Sequence, residues 1–160
     1  MGIGSPRLRR ELAAAVVLAL SAPGVGSAVP LTPLERSFLQ HVNAVRTARG
    51  VAPVHVDATL ELAARRHTAA MLARGAFTHG SWWQRLTSLG ARGPWLGEDL
   101  GWYSDPSAAP QAIVRLWLAS PEHRAVLLRR GSLLVGIGSA VGPFMGFDRA
   151  AVVTADFEGT

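Results

Sequence analysis

Three-quarters of the way along the chain the hydrophobic period changes, and that change constrains the fold more than any other feature. Thr32-Pro33-Leu34-Glu35 is a capping box with proline at the first helical position. Leu34, Phe38, Val42 and Val45 then recur at helical spacing until Gly50. Val51 to Val56 is short and contains proline, so it reads as a connector. Asp57 can cap a second helix with Leu60, Ala63, Ala64, His67, Ala70 and Met71 on one face, closed by Gly75. Ser81 can cap a third, short helix carrying Trp82, Trp83 and Leu86. Leu96 to Tyr103 reads as extended. Pro110 opens a helix with Ile113, Leu116 and Trp117 inward, and Ser120-Pro121 restarts a turn or helix through Leu128.

Beyond that point the helical period stops. Leu133 to Val141 and Ala150 to Phe157 are rich in Val, Thr and Gly, joined through Gly142-Pro143 and Gly146-Phe147-Asp148, and read as a hairpin. Several helices followed by paired strands predict an α+β fold, an antiparallel sheet covered by helices.

The chain has 160 residues and no cysteine, so its stability must come from a packed core. Its first 28 residues do not read as part of that core. Arg7, Arg9 and Arg10 precede an unbroken apolar run, Leu12 to Leu20, and Gly26-Ser27-Ala28 supplies small residues at the exit. This is the layout of a secretory signal, and the run is too short to span a bilayer. We expect residues 1–28 to be a cleaved signal and residues 29–160 to form one exported domain that is a monomer. The formal charge of +5 divides accordingly: residues 1–28 carry +2, and the 13 arginines and 10 acids that follow leave +3. Without a dense basic run, nucleic acid is not an expected partner. Arg65-Arg66 and Arg129-Arg130 read as solvated faces.

Three polar residues stand apart from ordinary surface. His79 lies in Phe77-Thr78-His79-Gly80-Ser81, just before a helix. Glu98 lies in Gly97-Glu98-Asp99-Leu100, at the start of an extended run. His123 lies in Ser120-Pro121-Glu122-His123-Arg124, in a first helical turn near Trp117. If the three segments converge, two imidazoles and a carboxylate line one cleft, a set suited to a divalent metal or to proton transfer. Spacing alone also fits histidines that are hydrogen-bonded scaffold. No metalloprotease helix motif, nucleophile elbow or P-loop is present. Ser81 and Ser120 are better read as helix caps than as nucleophiles. His67 reads as a half-buried core histidine with a local partner, and His41 and His55 as surface. Asn43 and Arg46 share a helix face and are expected to tie it to a loop.

In order, these segments resemble the CAP superfamily of cysteine-rich secretory, antigen 5 and pathogenesis-related class 1 proteins. The resemblance rests on Phe38 to Arg46 with Gly50, Leu60 to Met71, Phe77 to Ser81 with Arg85, Gly97 to Leu100, Trp117 with Ser120 to Arg124, Val135 to Gly138, and Thr154 to Phe157. It is strongest to the cysteine-free bacterial SCP-like branch. It implies an α-β-α sandwich with a central antiparallel sheet and a cleft that commonly holds two histidines and two glutamates. His79, Glu98 and His123 match three of those places. Asp99 stands where the family usually has asparagine, and Ser120 where eukaryotic members place the second glutamate.

The resemblance implies a secreted binding module for a lipid, another small apolar ligand or an envelope component. Its competitor is a metal-assisted hydrolase in which His79, His123 and Glu98 hold zinc or another divalent cation. A third reading is an envelope interaction protein whose polar triad is scaffold only.

Overall fold

The computed structural model describes residues 29–159. The expected export signal, residues 1–28, lies outside the described residues. Five helices and four strands follow in the order α1 (Pro33–Ala48), β1 (His55–Val56), α2 (Ala58–Arg74), α3 (Trp82–Leu89), β2 (Trp95–Tyr103), α4 (Ala109–Ala119), α5 (Pro121–Leu127), β3 (Ser132–Phe144) and β4 (Phe147–Gly159). The sheet order is β1-β3-β4-β2. β2, β4 and β3 pair antiparallel as expected, but the sheet is mixed, because β1 pairs parallel with β3 at His55–Leu134 and Val56–Val135. The stretch expected to be a plain connector therefore ends in a two-residue edge strand.

Alternation along the strands sorts the core into two layers, the arrangement of an α-β-α sandwich. Val135, Ile137, Val153, Ala155 and Phe157 face α1, α4 and α5, meeting Phe38, Val42, Ile113 and Trp117. The opposite face carries Leu96, Leu100 and Val152 against Leu60, Ala63, Met71 and Leu86 of α2 and α3. Gly136 and Gly138 let α2 lie almost on the sheet: a Cβ on Gly136 would fall 2.0 Å from the Leu60 carbonyl carbon, and one on Gly138 2.3 Å from that of Ala64. The glycine interruption of β3 is thus a packing requirement.

The capping box forms as read, with Thr32 N–H donating to Glu35 Oε2 at 2.8 Å and Glu35 N–H to Thr32 Oγ1 at 3.2 Å. Asp57 caps α2 through Thr59 and Leu60 N–H. Ser81 and Ser120 occupy N-cap positions, but neither side chain makes a capping hydrogen bond. Leu116 is not inward either; it is 57% exposed. The hairpin turn is Met145-Gly146, both at positive φ, with Pro143 at a register shift inside β3.

The polar ties are partly as read. Asn43 donates to Val54 O and accepts from Val54 N–H, and buried Arg46 donates to Ala52 O, Leu127 O and Ser132 O. Arg65 is not a solvated residue. It binds Glu35 through both carboxylate oxygens, at 2.9 and 2.6 Å, and reaches Glu61 at 2.7 Å. Burial would raise the Glu35 pKa, but hydrogen bonds from Arg65 and Thr32 outweigh it and hold the carboxyl low. Arg129 and Arg130 are exposed, as expected, and Arg129 lies over the Trp95 ring, 4.5 Å from its centroid.

Candidate functional site

β2 is an edge strand, and its alternation sends successive side chains to opposite faces. Glu98 points to the α2/α3 face, opposite Asp156 in the β2–β4 ladder, whereas Asp99 points to the other. The loop between α2 and α3 carries His79 onto Glu98, with Nδ1 2.7 Å from Oε1. Arg85, on α3, donates to the second oxygen of the same carboxylate and lies 3.9 Å from Asp156 Oδ1. The Glu98 side chain is 1% exposed, that of Arg85 17% and that of His79 47%. The buried acid is thus fixed by two partners from one loop–helix segment, and the histidine is the part that reaches solvent.

Burial and the charge of Glu98 push both neighbouring acids up. Asp99 rises to about 8. Asp156 also moves well above the ordinary value; Arg85 opposes that shift without cancelling it. Neither oxygen of Asp99 has a hydrogen-bond partner among the described residues.

His123 sits in the first turn of α5, on the far side of Phe77. With Phe77, Leu100, Trp102, Leu116 and Trp117 it lines a recess of about 250 Å³ between β2 and α4. Trp117 is fixed there by its indole N–H, which donates to Leu100 O at 2.7 Å. Burial lowers the His123 pKa, a nearby positive charge at His79 lowers it further, and Glu122 opposes both. Of the three residues singled out from sequence, then, His79 and Glu98 are in direct contact, and His123 lines an adjoining recess.

Two further residues belong to the site. Arg85 was noted only as part of the resemblance, yet it is the second partner of Glu98. His67 was read as a core histidine with a local partner. It does hydrogen-bond locally, Nε2 to Thr78 O at 2.8 Å, but it also lines a second cleft, of about 450 Å³, with Arg85 and Arg74. Its i, i+7 relation to Arg74 along α2 was the available signal.

The donor set does not fit a divalent ion as arranged. Arg85 places a guanidinium at Glu98 Oε2, where a metal would need the carboxylate free, and His79 directs Nδ1 at the other oxygen. Among the described residues, no three His, Asp or Glu side chains converge as ligands. Nor is either serine near these histidines, Ser81 or Ser120, hydrogen-bonded to an imidazole among the described residues.

Comparison with known proteins agrees with this fold. The cysteine-rich secretory protein family, CAP, matches residues 39–157. The uncharacterised protein YkwD of Bacillus subtilis is 28% identical over 109 residues, which is 65% of this chain and 41% of that protein. The chain therefore spans less than half the length of that relative. An extracellular protein of Bacillus anthracis containing an SCP domain superposes with a TM-score of 0.65 at 20% identity, over 82% of this chain and 45% of that one. An outer surface protein of Borrelia burgdorferi gives 0.64 at 16%, over 82% and 97%. At such identities these structures establish the fold alone.

Proposed function

This chain belongs to the CAP family of cysteine-rich secretory proteins, and from that premise we propose that it is an exported, non-enzymatic binding module for a lipid or other small apolar envelope ligand. Residues 1–28 are its export signal, and residues 29–160 act outside the cytoplasm as a monomer. Among the described residues no helix is long and apolar enough to cross a membrane.

The observation that carries this reading is the recess beside β2. Leu100, Trp102, Ile113, Leu116 and Trp117 give it apolar walls, and Phe77 and Leu116 leave apolar surface at its mouth. Pockets that are mainly apolar with one or two polar groups suit a small apolar ligand. His123 and Ser120 are the polar groups here. His79 and Glu98 brace the loop that forms the neighbouring wall. The hydrolase alternative lacks a corresponding feature, since Glu98 is engaged by Arg85 and, among the described residues, neither Ser81 nor Ser120 is hydrogen-bonded to an imidazole.

Native mass spectrometry of the mature domain, wild type beside Leu116→Glu, tests the proposal. Apolar ligands taken up from an envelope lipid extract by wild type and lost in Leu116→Glu support it. Equal uptake by both proteins, or none by either, overturns it.

A further inference from the structure

The cleft on the other side of the 77–79 segment has the opposite chemistry from the apolar recess. It is lined by His67, Arg74, Thr78, Ser81, Gln84 and Arg85. Arg74, Thr78, Ser81, Gln84 and Arg85 can each offer a donor, whereas the His67 Nε2–H is already given to Thr78 O. The carboxylate at its inner edge, Glu98, already accepts from Arg85 and His79. Burial and the charge of Glu98 push the Asp156 carboxyl well above its ordinary value, against the pull of Arg85. Arg74 has no carboxylate within 4.0 Å among the described residues, and Arg85 Nε is buried without an acceptor. The cleft therefore carries an unbalanced positive charge and unfilled donors. They come from α2, from α3 and from the loop between them, and so from several directions, which suits a tetrahedral oxyanion better than a planar carboxylate.

The two cavities are neighbours. Thr78 lines the cleft and Phe77, the preceding residue, lines the recess. We propose that the cleft holds the phosphate head of an anionic amphiphile whose apolar chain occupies the recess. This rests on the apolar-ligand reading above and adds the head-group class to it. Arg74 holds the head directly, and Arg85 does so while keeping Glu98 in place.

Dodecyl phosphate and 1-dodecanol, both below micellar concentration, share a chain and differ in the head. Tryptophan fluorescence would follow their binding to wild type, Arg74→Ala and Arg74→Lys, with thermal melts checking that each variant folds. Wild type is expected to bind the phosphate about tenfold more tightly than the alcohol, a difference of one good charged contact. Arg74→Ala should lose most of that preference, Arg74→Lys should keep part of it, and all three should bind dodecanol alike. Equal affinity of wild type for the two probes, or an unchanged preference in Arg74→Ala, overturns the head-group site. If dodecanol fails to bind while inorganic phosphate still displaces dodecyl phosphate, the apolar reading falls and the head-group site stands.

Discussion

Glu98 on β2 and Asp156 on β4 stand directly opposite one another, and Arg85 reaches toward both from α3. Two acids on one sheet face with a single guanidinium between them cannot both ionise cheaply. The chain pairs Glu98, and burial with the Glu98 charge pushes the Asp156 carboxyl well above its ordinary value. The pair is a local clamp between β2 and α3, with His79 attached at its outer end.

Removing the Glu98 charge should loosen that clamp. Glu98→Gln leaves Arg85 and His79 without their ionic acceptor, and hydrogen bonds to charged groups contribute about 1.5–3 kcal/mol. Asp156, freed from repulsion, would recover part of this by ionising beside Arg85. We expect a net loss of about 1–2 kcal/mol in urea unfolding. An unchanged midpoint would mean that the pair is incidental.

Asp99 makes stability depend on pH in a definite direction. Between its ordinary value of 3.8 and about 8, the folded chain holds a proton that the unfolded chain has released. Stability therefore falls as pH rises through that window, by up to about 1.4 kcal/mol per pH unit for each such group. Asp156, raised by burial and by Glu98 against the pull of Arg85, acts in the same direction. Urea midpoints measured from about pH 5 to about pH 8 should decline in wild type, and less steeply in Asp99→Asn, which cannot ionise. Parallel slopes in the two proteins would contradict this assignment.

Gly136 sets the distance between α2 and the sheet. A methyl there meets the Leu60 backbone at 2.0–2.2 Å, and backbone cannot swing aside as a flexible side chain would. Gly136→Ala should cost about 3 kcal/mol, the upper part of the usual overpacking range. A thermal melt within a degree or two of wild type would show that α2 can lift without penalty.

The sequence revealed the fold through local signals that happen to be strong here. The capping box at Thr32, the Asp57 cap and the period change after Leu128 each depend on residues a few positions apart, and each matches the structure. β1 was not legible, because a two-residue strand exists only through its pairing with Leu134 and Val135. Arg65 looked like surface for the same reason: its partner Glu35 lies thirty residues away on another helix. At the site, His79, Glu98 and His123 stood out by resemblance, and the first two do meet. Spacing could not reveal that Arg85 would take the second Glu98 oxygen, nor that His67 would open onto a cleft. Those facts depend on how the loop after α2 folds back over β2.

The most direct test of the binding account is amide chemical-shift mapping of the mature domain with 1-dodecanol. The account predicts saturable shifts concentrated at Gly101, Trp102, Ile113, Leu116 and Ser120, around the recess beside β2. No saturable shifts, or shifts centred elsewhere such as the β1 edge, would contradict it.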